Sequence, residues 1–224
     1  MITDLEQRII YEKDGLLVVD KPYDLPSTGR QLDDDDCLQY WLIQRHGSMV
    51  WAVHQLDADT SGVNLFVTEK KLVKYYKGLL EQTQADKQYL ALVHGIPTWG
   101  KCEERSRIGK LDERNLGIHP EGKTAHSQFE ALGSANDFSL IKAKIFTGRT
   151  HQIRIHLSHL GHPLVGEEWY CDPPCTTHKR QALHCYKIHL PQTGQTFMAS
   201  LAEDLKQWAQ NQGLNKYIVA FLGL

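Results

Sequence analysis

Gly148-Arg149-Thr150-His151-Gln152-Ile153-Arg154-Ile155-His156-Leu157 is the stretch on which the fold turns. Just upstream, Ile141, Ala143 and Ile145 alternate with Lys142 and Lys144, the period-two pattern of a half-buried strand. That strand ends at Gly148. Thr150 is then placed to cap a helix running through Leu160, ended by Gly161 and stopped by Pro163. Ile153, Leu157 and Leu160 are spaced to face the core of such a helix. Arg149, His151 and Arg154 crowd its start, where anions such as phosphate are welcome.

Upstream of this segment, strands dominate. Leu16 to Asp20 follows Gly15 as a short apolar strand, and Lys21-Pro22 closes it into a loop ending near Gly29. The four acids Asp33 to Asp36 stand before Cys37-Leu38-Gln39-Tyr40-Trp41-Leu42 and predict a helix start. Met49 to His54 and Val63 to Thr68 read as strands flanking the polar loop Gln55 to Gly62. Lys70 to Leu80 has the spacing of an amphipathic helix, with Leu72, Tyr76, Leu79 and Leu80 as its apolar stripe. Tyr89 to Val93 is a further strand, and the charged, glycine-punctuated span 100–123 an exposed excursion. Irregular alternation of strands and helices means α+β, or mixed α/β.

The chain has 224 residues, with 25 Lys+Arg against 27 Asp+Glu and a formal net charge of −2. That balance gives no support for nucleic-acid binding, yet a basic patch on one face remains compatible with it. A chain of this length supports one well-packed core, so residues 1–224 are expected to form a single domain. No apolar stretch approaches the roughly 20 residues of a membrane-spanning helix, and the first fifteen residues lack the apolar core of a signal peptide. Five cysteines, an odd count, argue against a disulfide framework and for a reducing cytoplasm. The apolar tail from Tyr217 to Leu224 reads as a core strand or a contact surface.

Chemistry is sparse. Phosphate loops, dinucleotide fingerprints and the nucleophile elbow of serine hydrolases are missing from the sequence. Cys171, Cys175, His178, His184 and Cys185 have a zinc flavour, but without paired C-x2-C spacing the expectation is no metal. In the loop His54 to Gly62, Asp59 and Ser61 suit turn roles. Asp57, beside the apolar Leu56, lies where the strand leaves the core. What remains is carboxylate chemistry with no cofactor.

In order along the chain, several segments resemble the RluA family of RNA pseudouridine synthases. Val18-Val19-Asp20-Lys21-Pro22 is similar to the family's first motif and His54 to Gly62 to its HRLD-x-x-TSG signature. Lys87-Gln88-Tyr89 with Gly95 is similar to K-x-Y…G, and Gly148 to Leu157 to GRTHQ-[IL]-R-[IV]-H-[LM]. Gly161-His162-Pro163-Leu164 with Gly166 and Tyr170, then Leu183-His184, follow as in the family. The resemblance implies a largely antiparallel mixed central sheet flanked by helices and loops. It implies isomerisation of uridine to pseudouridine in ribosomal or transfer RNA, by base flipping and without cofactor or metal. Asp57 matches the catalytic carboxylate, Tyr89 the active-site tyrosine and Arg154 the arginine that pairs with that carboxylate. Gln55, Lys21, Arg149, His151, Ile153 and Leu157 make up the expected substrate- and RNA-binding set. Lys70, Lys71, Lys74 and Lys77 are further phosphate candidates or simply a solvated helix face. Gln55 stands where the family carries an arginine that fills the space left by the flipped base. With motifs beginning by Val18, no separate N-terminal RNA-binding domain is expected, and a monomer is favoured. The alternatives are an RNA-binding protein of the same fold without activity, and a zinc-stabilised carboxylate hydrolase.

Overall fold

A computed structural model describes residues 5–31, 34–82, 84–113 and 115–223 of the protein. After a short 3-10 helix, β1 (Ile9–Lys13) and β2 (Leu16–Lys21) lead to α1 (Leu38–His46). β3 (Trp51–Ala52) and β4 (Ser61–Val67) lead to α2 (Lys70–Glu81). Six strands follow: β5 (Asp86–His94), β6 (Lys101–Glu104), β7 (Ile108–Lys110), β8 (Leu116–Ile118), β9 (Ser127–Ala135) and β10 (Phe138–Ile145). The order then runs α3 (Gln152–His159), β11 (Leu183–Leu190), β12 (Gln195–Met198), α4 (Glu203–Asn211) and α5 (Asn215–Leu222). The fold is α+β. Among the described residues, no helix is long and apolar enough to cross a membrane.

Two compact units emerge, Met1–Lys87 with Cys185–Ser200, and Gln88–His184 with Leu201–Leu224. In the first, β1 and β2 form an antiparallel hairpin. Its turn residues Asp14 (φ 52°) and Gly15 (φ 77°) both take the left-handed conformation that matches strand twist. β2 pairs antiparallel with β4, β3 adds to β4, and β11 pairs antiparallel with β12. The run Leu16-Leu17-Val18-Val19 and all of β4 are buried, which is why the β2 run reads as continuous rather than alternating apolar sequence. Leu17, Val19, Leu38, Leu42, Val50 and Phe66 make one core cluster. On α2 the buried face is Tyr76, Leu79 and Leu80, while Lys70, Lys71, Lys74 and Lys77 are exposed.

In the second unit β9 and β10 form an antiparallel hairpin and β6 joins β9. β7 and β8 pair with each other and occupy the excursion expected at 100–123. Ile108, Ala125 and Ile155 form a small cluster that anchors this excursion to α3.

Four local expectations are corrected. β3 is two residues rather than six, because the chain leaves the ladder at His54, whose Nε2 accepts the Leu65 N–H at 3.2 Å. The acids before α1 do not enter its first turn. The Asp34 carboxylate accepts the Arg30 and Gln31 N–H groups in the preceding loop instead, and Asp33 lies outside the described residues. The apolar tail is not a strand but the helix α5, with Ile218 buried; Leu224 is outside the described residues. Finally, α3 begins at Gln152, not after a capping Thr150.

Candidate active site

The first unit holds the Asp57 loop. It runs from Val53 to Thr60, and the Asp57 carbonyl accepts the Thr60 N–H at 3.0 Å to close a turn. Asp57 itself is half-buried. The loop is clamped by the segment after β2. Leu25 N–H donates to the Ala58 carbonyl at 3.2 Å, and Ser27 Oγ accepts the Leu56 N–H at 2.9 Å. The buried Ser27 hydroxyl also lies 2.8 Å from Asn64 Oδ1, while Asn64 Nδ2 donates to the His54 carbonyl at 3.0 Å. Pro26 and Ser27 carbonyls in turn accept the Leu38 and Gln39 N–H groups at the start of α1. The loop is thus fixed by buried polar bonds to a strand and to a helix, the rigid mounting a positioned carboxylate needs.

Lys21 is a correction. Expected to reach RNA phosphate, it is fully buried. Its ammonium donates to the carbonyls of Pro22, Leu25 and Ala58 at 2.9, 2.6 and 2.8 Å. A buried ammonium survives only when hydrogen-bonded in this way, so Lys21 is a clamp between the two loops. Gln55 is exposed, its Nε2 donating to Thr28 Oγ1 at 2.8 Å.

His54 shows what this packing does to titration. Burial first, then the nearby Lys87 ammonium, push its pKa down to about 4, so near neutral pH its Nε2 is free to accept the Leu65 N–H. An unfolded histidine titrates near 6.5. Between 6.5 and about 4, therefore, the unfolded chain takes up a proton that the folded chain refuses. Stability is full above pH 6.5 and falls with pH across that window, by at most about 3 kcal/mol from this residue. Burial also holds His156 and His94 below their usual value, with the same sign. Urea midpoints measured between pH 7 and pH 4.5 should fall steadily. In His54→Gln, which keeps an acceptor, the slope should flatten; an unchanged slope would remove His54 from this account.

The second unit holds the other matched residues. Gln152 organises the start of α3. Its Oε1 accepts Thr147 Oγ1–H at 2.7 Å and Arg149 N–H at 3.1 Å, and its Nε2 donates to the His126 carbonyl and Ser127 Oγ. The Gln152 N–H donates back to the Arg149 carbonyl at 3.1 Å, and the residue before α3, His151, makes no side-chain cap bond. His151 precedes it in the left-handed conformation (φ 54°), its Nδ1 2.7 Å from Tyr170 Oη. Arg149 is exposed, with Nε donating to the Thr124 carbonyl. Tyr89 is buried on β5. Ile153 and Leu157 are buried too, at 4% and 0% exposure. Expected to touch RNA, they are core residues, as their spacing on α3 dictates.

Arg154 is buried and makes a bidentate pair with Glu167: Nε to Oε2 at 2.9 Å and Nη2 to Oε1 at 2.8 Å. Glu167 is fully buried, and its Oε1 also accepts the Trp169 and Tyr170 N–H groups at 3.0 and 3.3 Å. The guanidinium carbon lies 4.9 Å from the Trp169 ring centre and 5.2 Å from that of Tyr170. Sequence reading missed Glu167, Ser27 and Asn64. Only the place of Glu167 between Gly166 and Tyr170 hinted at a role.

The cysteines are a further correction. Cys171 and Cys175 form a disulfide, the Asp172-Pro173-Pro174 turn bringing their Cα atoms to 6.0 Å. This pairing departs from the expectation, drawn from the odd cysteine count, that disulfides are absent. His178 is taken up by the Arg180 carbonyl and by Asp204, 3.0 and 3.7 Å away. Among the described residues no three His, Cys, Asp or Glu side chains are grouped to hold a metal ion.

Comparison with known proteins places these parts in one family. The human protein RNA Pseudouridylate Synthase Domain Containing 4 superposes with a TM-score of 0.79 at 21% identity, covering 93% of this chain and 94% of its own. At that identity the likeness speaks for the fold. In sequence, ribosomal large subunit pseudouridine synthase D of Pseudomonas aeruginosa is 35% identical over 222 residues, covering 85% of this chain. Its namesake in Haemophilus influenzae is 30% identical over 213 residues, covering 84%. The chain spans 66% and 64% of the length of these two relatives. Residues 15–159, from the start of β2 to the end of α3, match the family described as RNA pseudouridylate synthase. That span includes the clamped Asp57 loop, Tyr89 and the Gln152-ordered helix with Arg154, and it makes the chain a member of the RNA pseudouridylate synthase family.

Proposed function

We propose that the protein isomerises uridine to pseudouridine within ribosomal or transfer RNA, residues 1–224 acting as one catalytic domain in the cytoplasm. The observation that carries this is the Asp57 loop, a half-buried carboxylate on a backbone clamped by Lys21, Ser27 and Asn64. The names of the relatives favour ribosomal RNA as the substrate.

The Asp57 carboxylate acts as nucleophile or base while the N-glycosidic bond breaks, the uracil turns and a carbon of the ring joins the ribose. Tyr89 offers a ring face to the uracil and a hydroxyl for proton transfer. Arg154, held rigid by Glu167, is the third catalytic residue of this reading. The chain's own residues suffice for this route, with no cofactor or metal. Because the target base leaves its stack at a cost of a few kcal/mol, loops and single strands are the favoured substrates.

The test is carbodiimide mapping of ribosomal and transfer RNA, taken from cells lacking the gene, after incubation with purified protein. New pseudouridine at discrete uridines supports the proposal; none in either RNA overturns it.

Gln55 bears on affinity rather than chemistry. Gln55→Arg adds an exposed positive charge at a loop bonded to Thr28. It should tighten RNA binding a few-fold at low salt and steepen the salt dependence by about one charge. Filter binding across a salt series checks this, and weaker binding would show that the Gln55 amide makes a specific contact.

A further inference from the structure

Trp169 is 68% exposed, the most exposed of the large hydrophobic side chains among the described residues. A lone exposed aromatic is ordinary, but this one is mounted. Its backbone N–H donates to the buried Glu167 carboxylate at 3.0 Å. The Arg154 guanidinium covers the ring at 4.9 Å, and the His151 ring centre lies 5.2 Å away. Behind it, the Cys175 N–H donates to the Glu167 carbonyl at 2.8 Å, closing the segment 167–175 on itself. An indole so held loses little entropy on binding, and a cation beneath it leaves the outer face for a partner.

We propose that Trp169 is a stacking platform for an unpaired nucleobase of the RNA substrate. This deepens the functional proposal above and rests on it for the class of ligand. The chemistry favours a base over the phosphodiester backbone. Glu168 and Asp172, both exposed acids, flank the ring in sequence and disfavour phosphate there. A base presents a neutral π-face that stacks on indole whatever its identity. The platform would hold a nucleotide already out of helical stacking, so RNA loops and single strands would bind best.

The whole protein and its variants Trp169→Phe, Trp169→Leu and Trp169→Ala would be titrated by anisotropy against two probes. One is a short oligouridylate; the other is an abasic ribose-phosphate strand of equal length, which has charge but no rings. Wild type is expected to prefer the oligouridylate. Trp169→Leu and Trp169→Ala should bind it about tenfold more weakly, within the range of one lost base–aromatic stack, with abasic affinity unchanged. Trp169→Phe, which keeps a ring, should remain within about threefold of wild type. With a modifiable RNA, Trp169→Leu should raise KM and leave kcat near wild type.

Three outcomes overturn the proposal: equal loss on both probes, unchanged affinity in Trp169→Leu, or a wild type that does not prefer the ringed strand. The thermal midpoint should stay near wild type in Trp169→Phe, while Trp169→Leu and Trp169→Ala lose the ring over Arg154 and should fall by about 2–4 °C. The binding readout needs no turnover. A protein that forms no pseudouridine yet shows the ring-dependent preference therefore fails the functional proposal alone, and the reverse pattern fails this one alone.

Discussion

Asp57→Asn should lower the rate of pseudouridine formation by roughly a hundred- to ten-thousandfold, with RNA affinity and thermal midpoint close to wild type. The separation of these effects follows from how the loop is held. Its fixings include the Asp57 backbone carbonyl, the Ala58 carbonyl on Lys21 and the Ser27–Asn64 bonds. Asparagine at position 57 leaves all of these in place. Asparagine keeps the shape and loses the negative charge that a nucleophile or base must carry. Single-turnover assays at saturating protein, beside filter binding and a thermal melt, separate the three quantities. Turnover near wild type would remove Asp57 from the chemistry. A collapsed thermal transition would make it a structural residue, whatever the turnover.

Lys21→Met makes a useful contrast, since the two residues sit on facing sides of one clamp. Removing the ammonium takes the donor from the Pro22, Leu25 and Ala58 carbonyls, which are part-buried, a cost of about 1–3 kcal/mol for each that water does not reach. Activity and stability should therefore fall together, whereas at Asp57 activity falls alone. Lys21 is a positioning residue, and its charge never needs to meet RNA.

The sequence shows periodicity well and partnership poorly. The β2 run, the apolar stripe of α2 and the strand before Gly148 were legible because burial imposes a period on the chain itself. Asp57, Tyr89 and Arg154 were singled out by resemblance alone, and their catalytic roles stand as part of the proposal. Lys21 was misread because an exposed lysine and a buried one are the same letter; three carbonyls from two other segments decide which it is. Thr150 looked like a cap because threonine is favoured there, yet the helix starts at Gln152, whose side chain ties it to Thr147, Arg149, His126 and Ser127. Ile153 and Leu157 show the opposite failure, a family motif lending a binding role to residues whose spacing already assigned them to the core. Glu167 had only its place between Gly166 and Tyr170 to mark it. Its meaning lies thirteen residues away in Arg154.

That pair sets the second large expectation. Glu167→Ala should destabilise the protein by about 3–5 kcal/mol, because a bidentate buried guanidinium loses its carboxylate and two backbone N–H groups lose an acceptor. For a chain of this size that is a fall of roughly 6–20 °C in thermal midpoint. Glu167→Gln keeps an acceptor for the Trp169 and Tyr170 N–H groups and should cost less. A double-mutant cycle identifies the cause. If a stranded charge dominates the loss, Glu167→Ala combined with Arg154→Met will lose clearly less than the sum of the two single variants, since the pair then disappears together. Strict additivity would mean that Glu167 acts through its backbone partners and that the guanidinium finds its support elsewhere. A shift of under about 2 °C for Glu167→Ala would contradict the structure's placement of a fully buried, four-fold bonded carboxylate. The same cycle repeated with RNA affinity as the readout asks whether the Arg154 guanidinium must be held for Trp169 to present its ring. On the geometry described, weakening the Glu167 bonds should loosen the ring and the affinity with it.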